Sequence, residues 1–272
     1  MFLGVGVLSL IPSILILYVI MSKRQLHNAC NKMIGQLTMV DAGYSLFIIT
    51  WFPTKIYLGI ERCQMEGTVM FACNVGWMYS AMMVAILRYR VSLDNVPLAS
   101  FKGKELIRIQ SFSVLVSCLL GGLIGLHGKF RIMPSQAYCY LLYSRNDPTI
   151  AHIYSAVLLL MSIPTVTAVC LYWAIYENYR FLLSIRLDKH KENHYILAWK
   201  SVSYASLFFF TFLPYGCGML AEMVASNTRQ PILDTMLVTC VLIHKLASPI
   251  LTLALHDPIS REVKHLLFGP SN

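Results

Sequence analysis

Three ionisable residues stand inside long apolar stretches, and their types suggest chemistry. Lys245 lies in VLIHKLASP, Asp41 in LTMVDAGYSL and Glu66 in CQMEG. A charge within a bilayer costs about 2.5–3.5 kcal/mol on insertion scales, so each residue is expected to have a function or a partner. A desolvated lysine amine can condense with an aldehyde to form a Schiff base. The resulting buried cation needs an anion nearby, and Glu66 is the leading candidate.

Each of these residues also has a plainer interpretation. Lys245 can form an ion pair that fixes helix packing or, in a receptor for a non-covalent ligand, it can be the charge partner of Asp41 or of an anionic ligand. Glu66 can be a carboxylate solvated at a helix end, and Asp41 can be a hydrogen-bonded core acid. Soft and aromatic side chains around these residues suit a long, rigid, apolar ligand, although such stripes more often form the core. They are Trp51, Trp77, Tyr79, Phe208, Phe209, Phe210, Phe212, Tyr215, Met78, Met82 and Met83.

Long apolar segments must position these side chains. Of the 272 residues, 57% are hydrophobic and 13% are charged, about half the charged fraction of a soluble domain. Seven runs reach the length of about 20 residues that a membrane-spanning helix needs, and their continuous apolarity excludes a β-barrel. The runs are Phe2–Met21, Met33–Leu58, Gln64–Leu87, Ile109–His127, Ile150–Tyr176, Trp199–Ala225 and Ile232–Leu255. The sequence therefore predicts an all-α membrane protein, with one seven-helix domain over residues 1–272.

The basic residues predict the orientation of the helices. A net charge of +9 does not indicate nucleic-acid binding here, because no basic patch is interleaved with aromatic residues. Fifteen Lys and Arg residues lie in the loops on one side and six on the other, so the richer side should be cytoplasmic, with the N-terminus outside. The fifteen are Lys23, Arg24, Lys32, Arg88, Arg90, Lys102, Lys104, Arg108, Arg180, Arg186, Lys189, Lys191, Lys200, Arg261 and Lys264. The six are Lys55, Arg62, Lys129, Arg131, Arg145 and Arg229.

Two further patterns concern the outer and inner surfaces. Cys63 and Cys139 both face the predicted oxidising side, where a disulfide can persist and clamp the second outer loop over the bundle. After Pro258, apolar and basic residues alternate in a way that predicts a short amphipathic helix on the membrane lipid. Its apolar face is formed by Ile259, Val263, Leu266 and Leu267. No motif for a metal site, a hydrolase or a nucleotide enzyme occurs.

These residues resemble those of the rhodopsin-like seven-helix receptors, and within them the opsins. Asn31 and Asp41 have the family's ten-residue separation, and Cys63-x-x-Glu66-Gly67 is similar to the opsin helix that carries a glutamate counterion. Arg88 follows Cys63 by 25 residues, and Arg88-Tyr89 resembles the last two letters of the D/E-R-Y motif. YCYLLYSRNDP looks like the second outer loop of peropsins and of the retinal G-protein-coupled receptor of pigment epithelium.

The resemblance continues through the last three helices. Pro164 and Tyr172 match the proline and tyrosine of the fifth helix. Phe212-Leu213-Pro214-Tyr215 resembles W-L-P-Y, with phenylalanine in place of tryptophan, and VLIHK is similar to the segment around the retinal lysine. Ser248-Pro249 stands where the family has Asn-Pro, and Lys245 lies four residues before that proline, whereas opsins place the lysine seven residues before it.

The resemblance implies a retinal protein. Retinal would be bound as a Schiff base on Lys245, with Glu66 as counterion and with Phe212 and Tyr215 against the polyene. Arg88, Tyr89, Tyr172, Asp41, Pro214 and Pro249 would take part in activation. Leu87, Ser248 and Thr252 replace groups of the family's activation motifs, so a photoisomerase is expected ahead of strong coupling to a heterotrimeric G protein. The alternatives are a chemoreceptor for a non-covalent small molecule and a paralogue that no longer signals.

Overall fold

A computed structural model of the chain describes residues 2–58, 63–93, 103–127, 129–136, 138–144, 146–185, 191–225 and 230–269. In this part of the chain, seven helices are long and apolar enough to cross a membrane, which confirms the predicted fold class. They are α1 (Phe2–Ser22), α2 (Ala29–Leu58), α3 (Cys63–Leu93), α4 (Gly103–Leu126), α5 (Pro148–Ile185), α6 (Lys191–Ala225) and α7 (Pro231–Leu255). Of the residues counted for orientation, Arg62, Lys102, Arg145, Arg186, Lys189 and Arg229 lie outside the described residues.

Several helices are longer than the apolar runs that predicted them. The third continues from Leu87 to Leu93, and the fifth from Tyr176 to Ile185. Hydropathy detects only the part of a helix that lies in hydrocarbon, whereas backbone hydrogen bonding continues into water. The bundle therefore extends beyond the apolar runs at the end where these helices finish.

The surface of the bundle is apolar in the way that a lipid environment requires. Large side chains are exposed on every one of the seven helices, although a soluble monomer seldom exposes contiguous apolar patches of more than a few hundred Å². Examples are Leu8, Ile56, Met65, Phe112, Leu159, Phe210 and Met236. The perimeter of the described helices thus matches a multi-pass integral membrane protein.

Small residues allow α3 and α4 to approach closely. A Cβ added at Gly125 would lie 2.2 Å from Thr68 Oγ1, and one at Gly121 would lie 3.0 Å from the Thr68 carbonyl oxygen. The Thr68 hydroxyl donates to the Gly121 carbonyl at 3.1 Å. The G-x-x-x-G spacing therefore serves packing within the bundle.

A short hairpin covers one end of the bundle, which we call the hairpin end. Strands β1 (Phe130–Ile132) and β2 (Cys139–Leu141) pair antiparallel, with Ile132 opposite Cys139. A disulfide joins Cys139 to Cys63 at the start of α3, with their Cα atoms 5.1 Å apart. The predicted second outer loop is thus a hairpin that is covalently attached to α3.

The other end of the bundle carries the amphipathic helix α8 (Asp257–Phe268), and we call it the α8 end. Ile259 and Val263 are buried against α1, and Glu262 forms an ion pair with Lys23 at 3.1 Å. Leu266 and Leu267 follow Ile259 by seven and eight residues and so lie on the same face of the helix. They are about half exposed and lie outside the buried cluster that Ile259 and Val263 form with α1.

Candidate functional site

The structure brings Lys245 and Asp41 together in the centre of the bundle. Lys245 Nζ lies 3.4 Å from Asp41 Oδ1, and both side chains are no more than 2% exposed. Helices α7 and α2 position the two groups. Because a charge left alone at this depth is costly, each group provides the neutralising partner that the other needs.

The carboxylate of Asp41 is fully engaged by groups around the ion pair. The Ser248 hydroxyl and the Trp77 indole N–H each donate to Asp41 Oδ2 at 2.9 Å. The ammonium also lies 4.9 Å from the centre of the Tyr44 ring and 5.3 Å from that of Trp77, distances at which an aromatic face attracts a cation. The ammonium therefore occupies the position that a mobile cation would need beside Asp41.

Glu66 has a different set of partners at the hairpin end. Its carboxylate accepts hydrogen bonds from Lys55 Nζ at 3.0 Å, from the Trp51 indole at 3.1 Å and from the Cys139 backbone N–H at 2.9 Å. The carboxylate is buried and its ionic partner is Lys55. The structure thus places Glu66 with the hairpin, and the acid beside Lys245 among the described residues is Asp41.

A cavity of about 220 Å³ lies between α3, α5 and α6, and we call it the lateral cavity. Its inner wall contains the predicted ligand residues Phe212 and Tyr215 together with Met78, all nearly inaccessible to solvent. Its volume is somewhat below the roughly 300–1,000 Å³ of typical ligand pockets. The remaining lining is formed by Leu158, Met161, Ser162, Thr165, Val166, Leu213, Gly216, Cys217, Met219 and Leu220.

The lateral cavity opens towards the membrane. Val166, Leu213 and Leu220 line the cavity and are each more than two-fifths exposed on the outer faces of α5 and α6. These faces contact hydrocarbon in a membrane-embedded bundle. A ligand can therefore reach the cavity from the bilayer, between α5 and α6.

An aromatic wall separates the lateral cavity from the ion pair. The Phe212 and Trp77 rings lie 5.9 Å apart, and His244 contacts both, at 4.7 and 4.0 Å between ring centres. Lys245 does not line the cavity. Trp77 and Phe212 lie between Lys245 and the cavity. A ligand in the cavity would therefore contact the aromatic wall and not the Lys245 amine.

The hairpin is tied to α7 as well as to α3. Asp234 in the first turn of α7 accepts a hydrogen bond from the Tyr138 hydroxyl at 2.8 Å and from the Ser135 backbone N–H at 3.2 Å. Edge-on packing of Tyr140 against Tyr215, with ring centres 5.9 Å apart, links the hairpin to the cavity wall. Both attachments hold the hairpin over the centre of the bundle.

At the α8 end, the partners of Arg88 among the described residues are two tyrosine rings and His256. Its guanidinium lies 4.4 Å from the centre of the Tyr204 ring and 5.8 Å from that of Tyr172, and it contacts the His256 ring nitrogen. Burial, and next the charge of Arg88, hold the pKa of His256 well below its usual range. The neutral ring can then accept a hydrogen bond from the guanidinium.

The other sequence-predicted residues surround these groups. Tyr89 is half-buried against the core. Pro214 and Pro249 lie inside α6 and α7, where each removes a backbone donor. Sequence reasoning missed Lys55 as the partner of Glu66, and Tyr204 and His256 as partners of Arg88.

Comparisons with known proteins do not identify a family for this chain. No protein-family model matches it, and the search of curated proteins gives no match.

Proposed function

We propose that the protein is a rhodopsin-like seven-span receptor that binds a mostly apolar ligand non-covalently in the lateral cavity. One observation carries this proposal: the cavity is buried and apolar on its inner side, while the Lys245–Asp41 pair lies behind Phe212 and Trp77. Such a site favours the burial of apolar ligand surface, and the described charged pair is not accessible to an ionic ligand.

We further propose that the hairpin end faces outside and the α8 end faces the cytoplasm. The excess of Lys and Arg in the loops of the α8 end supports this orientation. The Cys63–Cys139 disulfide supports it as well, because such bonds persist in oxidising compartments.

The proposed signal passes through the aromatic wall. A ligand that displaces Phe212 also moves Trp77, whose indole N–H holds Asp41. A small cavity of about 20 Å³ lies between this region and Arg88, and it is lined by Trp77, Ser248 and Tyr204. The aromatic wall would have two arrangements, and a ligand shifts the equilibrium between them only by the difference in its affinity for the two.

Binding of retinol and retinal to purified protein tests the proposal, because retinol lacks the aldehyde that a Schiff base requires. Both probes should quench tryptophan fluorescence with similar affinity, and Lys245→Met should retain binding. Gly216→Leu should abolish it, because a Cβ at Gly216 meets open space and the larger side chain fills the cavity.

Gly122→Leu in α4 is the matched control, since its Cβ also meets open space but lies away from the cavity. This variant should bind both probes as the parent protein does. Equal binding by the Gly216 and Gly122 variants would remove the lateral cavity from the proposal.

A second candidate function is that of an opsin, with retinal bound to Lys245. It is favoured by the buried amine itself, which lies one aromatic wall from the cavity. The amine must first leave Asp41 and lose its proton. It then attacks the aldehyde, water leaves, and the imine is protonated as a buried cation.

Borohydride reduction distinguishes the two candidates. In an opsin, retinal gives a visible band and a retinyl adduct on the α7 peptide, and both disappear in Lys245→Met. Because Asp41 is the acid beside the amine, Asp41→Asn should shift the band to the near ultraviolet if Asp41 is the counterion. The same shift in Glu66→Gln would assign the role to Glu66, as the resemblance implies.

Coupling to a heterotrimeric G protein is a separate part of the proposal. Leu87 stands where the family has an acid, and Arg88 is held instead by Tyr204 and His256. A light- or retinoid-driven G-protein assay in cells distinguishes a transducer from a photoisomerase or a paralogue that no longer signals.

A further inference from the structure

A second cleft opens on the membrane face of α1 and α2, near the α8 end. It has a volume of about 410 Å³ and shares no lining residue with the lateral cavity. Gly35 lines the cleft, and a Cβ added there would make ordinary van der Waals contact with Ile20 at 3.7 Å. The cleft is lined by Leu17, Ile20, Met21, His27, Lys32, Gly35, Gln36 and Met39.

The two ends of this cleft differ in chemistry. Leu17 and Met39 form the apolar end, and Met39 is more than half exposed to the surroundings of the helix. Lys32 and His27 form the polar end, where α2 begins and α1 has ended. A single occupant that contacts both ends must therefore be apolar along one part and anionic at the other.

The charges near the polar end are unbalanced. Lys23 is neutralised by Glu262, which also accepts a hydrogen bond from Gln25. Lys32 and Arg24 are exposed, and no described carboxylate lies within ion-pair distance of either. The described residues around the cleft thus present positive charge that an anionic headgroup would complement.

We infer that this cleft binds an anionic glycerophospholipid. The negatively charged headgroup, which phosphatidylcholine lacks, contacts Lys32 and His27, and one acyl chain lies along Leu17 and Met39. Gln36 is fixed as part of the wall, because its side-chain amide donates to Ser111 on α4 at 2.7 Å. Lipid is the favoured source of the anion because the apolar end faces the hydrocarbon of the membrane, where a free phosphate has no partner.

Native mass spectrometry of the detergent-purified chain tests the inference. Dioleoylphosphatidylserine should bind with a defined first site and about five times more tightly than dioleoylphosphatidylcholine, which has the same acyl chains. One basic residue near a headgroup contributes about this factor. Lys32→Gln should remove the preference, and inorganic phosphate should not compete.

Two matched controls separate the cleft from general attraction to the surface. Lys264→Gln removes one charge from α8 on the same end of the bundle and should leave the first site unchanged. Gly35→Leu fills the cleft without a change of charge and should weaken both lipids, whereas Gly43→Leu on the same helix, where a Cβ meets open space, should not.

Two results would overturn the inference. Equal losses in the Lys32 and Lys264 variants would mean that the lipid responds only to net charge. Full binding by Gly35→Leu would mean that the cleft does not hold the acyl chain. Thermal unfolding of each variant establishes that it is folded before lipid is added.

Discussion

Replacing Lys245 by methionine is expected to lower the free energy of unfolding by about 3–5 kcal/mol. The substitution keeps the length of the side chain but leaves the Asp41 carboxylate, which is nearly inaccessible, without a cation. Removing one partner of a buried pair typically costs this amount. At roughly 2–4 °C per kcal/mol for a chain of this size, the unfolding midpoint should fall by about 6–20 °C.

Removing both charges should restore most of this loss. In Asp41→Asn/Lys245→Met, the asparagine carbonyl can still accept from Ser248 and Trp77, which lie 2.9 Å from the carboxylate. No buried charge then remains, and replacement of an ion pair by groups of similar volume is often neutral. We expect the double variant to lie within about 2 kcal/mol of the parent, far from the sum of the single losses.

Circular dichroism of the four proteins in the same detergent measures this cycle. Ser248→Ala is the control, because it removes one hydrogen bond to the Asp41 carboxylate but leaves the ion pair, and it should cost about 1.5–3 kcal/mol. If the double variant loses as much as the two single variants together, the two groups do not stabilise each other and the pair is not formed in the membrane protein.

Three other perturbations have defined outcomes. Cys63→Ala opens the bond to Cys139, which spans 76 residues, and should cost about 4.5 kcal/mol in non-reducing thermal unfolding, while reduced parent protein should match it. Gly67→Ala places a Cβ 2.3 Å from Phe130 Cγ; it should cost about 1–3 kcal/mol and speed proteolysis of the hairpin, and an unchanged cleavage rate would contradict the contact. Burial and Arg88 lower the pKa of His256. Below about pH 6.5 the unfolded chain therefore binds a proton that the folded chain does not. The free energy of unfolding should then fall by up to about 1.4 kcal/mol for each unit by which the pH is lowered. His256→Gln should flatten that slope in urea titrations, and parallel slopes would show that the ring is not shielded.

Hydropathy was sufficient for the helices but not for their full length. The seven runs are apolar because lipid surrounds them, and each corresponds to a helix in the structure. Extension of α6 back to Lys191 was not predictable in this way, because its first four residues are polar and backbone hydrogen bonds leave no trace in composition. The hairpin was also missed, since three-residue strands are too short to show alternation.

The candidate site was predictable in its residues and less so in its pairings. The free-energy cost of a charge in hydrocarbon correctly singled out Lys245, Asp41 and Glu66 as buried groups. Three charges on three helices can nevertheless pair in more than one way. The deciding fact was depth along the helix axis, which places Lys245 level with Asp41. Lys55 was counted as a loop cation, but it lies in the last turn of α2 and reaches back to Glu66.

The opening between α5 and α6 has a consequence for pharmacology. A compound that reaches the cavity through the bilayer acts at its concentration in the lipid. That concentration is the aqueous concentration multiplied by the oil–water partition coefficient of the compound. Potencies measured at different lipid-to-protein ratios should therefore diverge although the intrinsic affinity is constant. Ranking compounds by potency alone would therefore select for lipophilicity. Correcting each potency for the partition coefficient would recover the intrinsic affinity for the protein.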